Sequence, residues 1–259
     1  MNLKILDKEY FSKGNVCVDG LRGRGKDMLL ANIIYRKNEP YISNIDYCAR
    51  SKTKRGNVHI PLNLSAIDIK NNYKNFNSDT LIDYDYPYPE DCDIYISDSQ
   101  LYFPSQYCNE LNKLYPNFPN FFALSRQLGN CNIHINTQNL NRLWDKIREQ
   151  SDYYIKCNSC RVLGKIVVQT ITIYDKYQSC VDRVEPFKPL KAPFLCKSET
   201  KALFKVKNEE LLRNFKQTYG CVKRRTLIYI NKSNYDTRLF KSLLKGGKKV
   251  ESKVEKNLE

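Results

Sequence analysis

Eight residues near the amino terminus limit the fold of this chain more than any other feature: GLRGRGKD, residues 20–27. They follow the alternating, β-rich segment NVCVDG and precede DMLLANIIYRK, in which apolar residues recur at helical spacing. Gly20, Gly25 and Lys26 have the G-x-x-x-x-G-K spacing of a loop that cradles phosphate. Because such a loop joins a strand to a helix N-terminus, the sequence predicts a strand–loop–helix unit here.

The chemistry of phosphate binding requires these residue types. Glycines let backbone N–H groups converge on phosphate oxygens, and the helix N-terminus adds a partial positive charge. Lys26 is predicted to reach the terminal phosphates of a nucleotide, and Arg24 adds charge to the turn. The predicted nucleotide-binding residues are Gly20, Gly23, Arg24, Gly25, Lys26 and Asp27.

The last residue of the motif departs from the usual pattern. Asp27 stands where a Ser or Thr hydroxyl normally ligates Mg²⁺. A carboxylate can also ligate Mg²⁺, which prefers oxygen, so Asp27 is a predicted metal ligand. Two alternatives stay open: Asp27 caps the helix, or the whole run is a glycine turn that binds no phosphate.

A second acidic residue ends the apolar strand predicted in CDIYISD, residues 92–98. Asp98 is predicted to be the carboxylate that holds the coordination shell of Mg²⁺ in a nucleotide-hydrolysing site. Many such enzymes place a glutamate next as base for the attacking water, whereas this chain has Ser99. An ordinary turn at a strand end is the alternative interpretation of Asp98.

A third element is the buried strand predicted in CNIHINTQ, residues 131–138. Gln138 follows its carboxyl end, where a polar side chain points into the ligand crevice, and is predicted to sense the γ-phosphate or orient water. Arg126 and Arg148 are candidates for phosphate charge or for an arginine finger offered to a neighbouring subunit. The alternatives are a surface loop residue for Gln138 and surface salt bridges for the arginines.

Strands and helices alternate along the chain, which predicts an α/β fold with a mostly parallel sheet covered by helices on both faces. The segments 152–157 and 165–177 are β-rich and favour a terminal hairpin. Composition changes after three prolines, at 186, 189 and 193. We therefore expect one nucleotide-binding domain over 1–187 and a basic extension over 188–259, partly helical with a disordered tail.

The net charge of +15 indicates a polyanionic partner such as DNA. Segment 190–259 holds 18 of the 43 Lys and Arg residues but only 7 of the 28 Asp and Glu residues, so it carries +11 of this charge. A compositional bias toward Lys, Asn, Ile and Tyr is the alternative explanation. A single CxxC, Cys157–Cys160, gives weak support for zinc. With no apolar run of membrane-helix length, the expected compartment is a reducing cytoplasm.

The order of these elements resembles the zonular occludens toxin-like family, which includes filamentous-phage assembly ATPases of the FtsK–HerA class. The resemblance covers roughly residues 14–180 and depends on Arg126, Gly129, Thr137, Gln138 and Arg148, beside the loop and Asp98. It implies a RecA-like, three-layer P-loop ATPase core that binds ATP and Mg²⁺. It also implies a homo-oligomeric ring that packages or extrudes phage or plasmid DNA in a host cell.

Three departures from this family leave the function open. Asp27 and Ser99 differ from the residues usual in ATP hydrolysis, and the membrane helix usual in phage members is absent from the sequence. A membrane-anchored assembly partner would then hold the protein at the inner membrane. The alternative to a DNA motor is a scaffold that binds nucleotide and DNA without hydrolysis. A small-molecule kinase is a third alternative, but no arginine-rich lid is evident in 178–259.

Overall fold

The computed structural model describes residues 1–49, 56–62, 92–114, 119, 122, 131–233 and 235. Arg126 and the tail beyond residue 235 lie outside the described residues, so the predictions made for them stay predictions. In the described part, no helix is long and apolar enough to cross a membrane. None of the ten cysteines forms a disulfide, and no cluster of three potential metal-ligating side chains occurs among the described residues.

Six helices are present in the described part of the chain. They are α1 Leu3–Leu6, which continues as a π-helical turn over Asp7–Phe11, α2 Lys26–Lys37, α3 Cys108–Leu114, α4 Asp145–Arg148, α5 Tyr177–Val181 and α6 Ser198–Tyr219. Short 3₁₀ turns cover Ser99–Leu101, Ser105–Tyr107 and Leu140–Arg142. Residues 140–150, an amphipathic segment with helical spacing, therefore do not form one continuous helix. At the interruption, Leu143 is extended and bridges to Pro104.

The strands of the described part form one eight-stranded sheet in the order β3-β2-β4-β5-β1-β6-β7-β8. They are β1 Val16–Asp19, β2 Tyr41–Ser43, β3 His59–Pro61, β4 Asp93–Ile96, β5 Ile133–Thr137, β6 Tyr153–Leu163, β7 Ile166–Tyr174 and β8 Val222–Ile230. Pairing is parallel from β3 through β6 and antiparallel at β6–β7 and β7–β8. The predicted α/β class and the hairpin are both confirmed.

The strand that leads into the glycine loop lies inside the sheet. Every residue of β1 is buried, as expected for a parallel strand covered on both faces. β5 lies between β1 and β4, with Asp19 opposite Thr137 and Ile96 opposite Ile135. Since parallel strands end at the same edge, this order brings the loop, the segment after β4 and the segment after β5 together.

Apolar side chains cover both faces of the sheet, giving three layers. On one face Leu6, Phe11, Leu29 and Ile33 bring α1 and α2 against the sheet. On the other face the core residues from the turns and helices after β4 and β5 are Phe103, Leu111, Leu143, Trp144 and Ile147. The three-layer arrangement of the prediction is therefore present, and it fixes the start of α2 at the carboxyl edge of β1.

The carboxyl-terminal part contributes a strand that the sequence patterns did not reveal. β8 pairs with β7 along its whole length, from Val222 opposite Tyr174 to Ile230 opposite Ile166. Three consecutive charged residues, Lys223, Arg224 and Arg225, interrupt the alternation of apolar and polar residues in its first half. Buried and exposed residues alternate only near its end, where Leu227 and Tyr229 are buried. Helix α6 agrees with the partly helical extension that was expected, and the boundary at 187 stays a prediction.

Candidate functional site

The glycine loop has the backbone conformation that its sequence predicts. Gly23 and Gly25 both have φ of +81°, in the left-handed region where a side chain is strained. Gly25 directly precedes α2, which begins at Lys26. The loop thus ends at a helix N-terminus whose first N–H groups have no partner within the helix.

Two of the glycines are also required by close packing against β6. A Cβ atom on Gly20 would lie 2.9 Å from the carbonyl oxygen of Cys157. A Cβ atom on Gly25 would lie 2.7 Å from Sγ of Cys160, whereas one on Gly23 would meet nothing within 4 Å. The two cysteines of the CxxC therefore lie under the loop and pack against it.

Lys26 is the buried cation of the site. The residue is only 5% exposed, and in the described part of the chain its Nζ makes no hydrogen bond and no ion pair within 4 Å. The carboxylates of Asp19 and Asp27 are near enough to interact with its charge. Because a largely buried lysine usually has a direct partner, a phosphate group at the loop would supply one, and the residues present fit a bound nucleotide.

Asp27 is held by the neighbouring strand ends. Its Oδ1 accepts hydrogen bonds from Ser97 Oγ at 3.0 Å and from Asn136 Nδ2 at 2.6 Å. The residue that precedes α2 is Gly25, with no side-chain cap bond, so Asp27 is not the N-cap of the helix. Burial raises the pKa of Asp27, Lys26 opposes this shift, and the charge of Asp98 adds to it.

Asp98 follows β4 in a strained conformation, with φ of +48°. Its backbone N–H donates to Asn136 Oδ1 at 2.7 Å, which ties it to the same asparagine that holds Asp27. The effect of Asp98 on the pKa of Asp27 also reflects the proximity of the two carboxylates. Two converging carboxylates are hard oxygen ligands suited to Mg²⁺.

Gln138 is brought to the same place. It follows β5, and its Nε2 lies 3.5 Å from Asp98 Oδ1, while its backbone N–H donates to Gln100 Oε1 at 3.2 Å. The side chain is exposed, as the end of a strand at a ligand crevice allows. By contrast, Ser99 is fully buried and its Oγ donates to the carbonyl of Ile96 at 3.1 Å.

Asn136 is the residue of the site that sequence reasoning missed. It is fully buried in β5 and connects α2 to the ends of β4 and β5 through Asp27, Ser97 and Asp98. An asparagine in a strand predicted to be buried was the available signal, since a buried amide requires several partners.

The structure does not bring Arg148 to the loop. Its guanidinium lies 4.7 Å from the ring centroid of Tyr177, and its carbonyl accepts a hydrogen bond from Tyr154. The chain then enters the amino end of β6, where the N–H of Asp152 donates to Asn15, just before β1. Arg148 therefore belongs to the sheet edge opposite the loop of its own chain.

A cleft of about 250 Å³ adjoins the first half of the loop. Its walls include Asp19, Leu21, Arg24, Lys156 and Asn158. Asp19 is buried with no hydrogen-bond partner for its Oδ1 among the described residues, and Lys156 Nζ lies 3.8 Å from its Oδ2. Burial raises the pKa of Asp19, and the charges of Lys156 and Lys26 oppose this shift.

No family model and no curated protein matches the chain. Among solved structures, it is similar to the genome packaging NTPase B204 of Sulfolobus turreted icosahedral virus 2 in complex with AMP. The identity is 14%, the match covers 63% of this chain and 93% of that one, and the TM-score is 0.40.

It is also similar to the N-terminal domain of zonular occludens toxin from Neisseria meningitidis. Here the identity is 12%, the match covers 88% of this chain and 97% of that domain, and the TM-score is 0.36. This domain bears the name of the family that the sequence resembles. At these values the likeness shows neither the family nor the function of this chain, and the function has to be argued from the residues of the site.

Proposed function

We propose that the chain is an ATP-binding and ATP-hydrolysing motor protein. The observation that carries this proposal is Lys26, a largely buried lysine at the start of α2 whose Nζ makes no direct ion pair among the described residues and which lies at the end of a glycine loop. A lysine in this position can bind an anion directly, and a glycine loop at a helix N-terminus is suited to phosphate.

Phosphate binding is assigned to the loop and the start of α2. Backbone N–H groups between Gly20 and Lys26 donate to phosphate oxygens, and Lys26 neutralises the terminal phosphates. Arg24 is exposed on the wall of the adjoining cleft, where it adds positive charge. The cleft is the space beside the loop in which the nucleoside part of ATP would lie.

Asp27 and Asp98 are assigned to Mg²⁺. The ion would stabilise negative charge on the β- and γ-phosphate oxygens when bound. The two carboxylates offset its charge, and Asn136 holds both in place through Asp27 Oδ1 and the Asp98 N–H. Gln138, beside Asp98, is assigned to orienting the attacking water.

The partner proposed for this motor is phage or plasmid DNA, which it would package or extrude. Support comes from charge: segment 190–259 carries +11, and Arg224 and Arg225 are exposed on β8. Contacts of Lys and Arg with DNA phosphates would be independent of sequence and weakened by salt. The proposal includes a homo-oligomeric ring in the host cytoplasm, held at the inner membrane by a membrane-anchored partner, with Arg126 or Arg148 offered to a neighbouring subunit.

One observation favours a second candidate, a nucleotide-binding DNA scaffold that does not hydrolyse ATP. Ser99 stands where a glutamate base is usual, and its hydroxyl is buried and bonded to the Ile96 carbonyl. Within the described residues, the site then depends on Gln138 and the two aspartates to activate water.

Mg²⁺-dependent ATP hydrolysis by purified protein, with and without DNA, distinguishes the two candidates. The motor predicts turnover that DNA stimulates and that Lys26→Ala and Asp98→Asn abolish. ATP binding without turnover in any of these conditions would instead support the scaffold. In the latter case Ser99→Glu tests whether the missing base is the cause.

A further inference from the structure

A buried glutamine of β7 contacts the back of the phosphate loop. Gln169 is completely buried, and its Nε2 donates to the carbonyl of Arg24 at 3.1 Å and to the carbonyl of Gly25 at 3.2 Å. On the other side, its Oε1 accepts a hydrogen bond from the hydroxyl of Tyr229 in β8 at 2.9 Å. This chain of contacts connects the edge strand of the sheet to the loop.

The contacts of Gln169 fix the orientation of its amide. With the amide reversed, Oε1 would face two carbonyl oxygens and lose both hydrogen bonds. The hydroxyl of Tyr229, which donates to Oε1, favours the orientation that the structure has. Since Tyr229 is itself only 8% exposed, solvent competes little for this bond.

These hydrogen bonds help to fix where the loop N–H groups point. In a planar trans peptide the carbonyl and the following N–H point in opposite directions. Because the carbonyls of Arg24 and Gly25 accept from Gln169, the N–H groups of Gly25 and Lys26 face away from its amide. The Gly25 carbonyl also accepts the N–H of Leu29 at 2.9 Å, so α2 and Gln169 hold the 25–26 peptide together.

We propose that Gln169 is a positioning residue of the phosphate site. It holds the peptides 24–25 and 25–26 so that both N–H groups face the phosphates, and Tyr229 holds the amide of Gln169. The inference rests on the proposed function in that it takes phosphate as the ligand of the loop. It adds that the loop depends on β7 and on the strand β8 contributed by the basic extension.

Three variants test the proposal in the full-length protein. Gln169→Leu removes both N–H donors of the amide at similar side-chain volume, and Gln169→Glu replaces them by a carboxylate oxygen, which accepts hydrogen bonds. Tyr229→Phe removes the hydroxyl that holds the amide of Gln169 in its orientation. The matched control is Ser179→Ala, because Ser179 is also buried and donates to a backbone carbonyl, that of Tyr219, away from the loop.

Two measurements are made on each variant. Without nucleotide, amide hydrogen exchange in residues 22–29 is expected to become at least about tenfold faster in Gln169→Leu than in the wild type. Exchange in the strands of the sheet should change little. Affinity for ATP, and for pyrophosphate as a probe of the loop alone, is expected to fall about tenfold. Gln169→Glu should lose more than Gln169→Leu, Tyr229→Phe less, and Ser179→Ala should change neither quantity.

Unchanged loop exchange in Gln169→Leu would overturn the proposal, whatever the ATP affinity. Faster exchange with unchanged affinity for both ATP and pyrophosphate would also overturn it. If the wild-type protein binds neither ligand, the proposed function fails, and the exchange measurement still decides whether Gln169 orders the loop. A fall in melting temperature much larger than that of Ser179→Ala would reassign Gln169 to general stability.

Discussion

At the scale of single residues, Lys26 differs from the other lysine of α2 that is largely buried. Lys37, at the far end of the helix, pairs with Asp93 and lies 3.9 Å from Asp7. Lys26 has no such partner in the described part of the chain. Because Lys26 makes no direct ion pair there, we assign it to a ligand, whereas Lys37 is explained by the fold.

We therefore expect a smaller loss of stability from removing Lys26 than from removing Lys37. Lys26→Ala removes a cation with no direct ion pair in the described part of the chain, although Asp19 and Asp27 lose its favourable charge. Lys37→Ala should lower the free energy of unfolding by about 3 kcal/mol, because the largely buried carboxylate of Asp93 loses its lysine and keeps the hydrogen bonds from Asn132. Urea unfolding of both variants measures this, and an equal or larger loss of stability in Lys26→Ala would contradict the assignment.

Asp27 is expected to make stability depend on pH. Its pKa is raised by burial, so the native state retains a proton that the unfolded state has lost above about pH 4. This contribution to stability falls as pH rises through that window. Asp27→Asn keeps an oxygen for Ser97 and Asn136 and lacks the charge.

Relative to wild type, Asp27→Asn should therefore gain stability from about pH 4 toward neutral pH while its Mg²⁺-dependent ATP affinity falls. Urea unfolding across this range, beside an ATP titration with and without Mg²⁺, tests both parts. A difference in stability that is independent of pH would contradict the raised pKa, and unchanged Mg²⁺ dependence would remove Asp27 from the metal site.

At the scale of elements, the loop provides a matched pair of glycines. Gly23 and Gly25 share φ of +81°, but only Gly25 lies against Cys160. Gly23→Ala should cost about 1 kcal/mol from backbone strain alone. Gly25→Ala should cost clearly more because of the contact, and Cys160→Ala should recover part of that excess. Equal costs for the two glycines, measured by urea unfolding, would contradict the close packing of β6 against the loop.

Much of the site could be predicted because it follows local patterns. The loop, Asp98 and Gln138 each come directly after a buried strand, and a parallel sheet brings such positions to one edge. Asn136, Gln169 and Tyr229 were missed because their roles depend on long-range pairing. β8 was missed because three consecutive charged residues occupy its first half and leave too few residues for an alternating pattern to be visible.

At the scale of the whole molecule, the basic extension contributes to the same sheet as the phosphate loop. β8 carries Arg224 and Arg225 exposed to solvent and also Tyr229, which reaches the loop through Gln169. A polyanion bound to this strand would therefore lie one strand away from the residue that contacts the loop.

If DNA binds β8, replacing Arg224 and Arg225 by alanine should weaken binding equally for all sequences. The slope of log affinity against log salt concentration should become shallower by about 2, because two phosphate contacts are lost. Titrations of labelled DNA at several salt concentrations measure the slope. The control is the double variant Lys146→Ala and Lys8→Ala, which removes two exposed charges elsewhere. An equal change of slope in the control would show that DNA responds to the total charge of the protein and not to a site on β8.

The measurement that tests the central claim most directly is calorimetric titration of the purified full-length protein with ATP in the presence of Mg²⁺, beside Lys26→Ala. We predict saturable binding at one site per chain, lost in Lys26→Ala although that variant still unfolds cooperatively in urea, with a smaller loss of stability than Lys37→Ala. If wild type binds no ATP, or if Lys26→Ala binds it equally well, Lys26 does not mark a phosphate site and the proposed function is wrong.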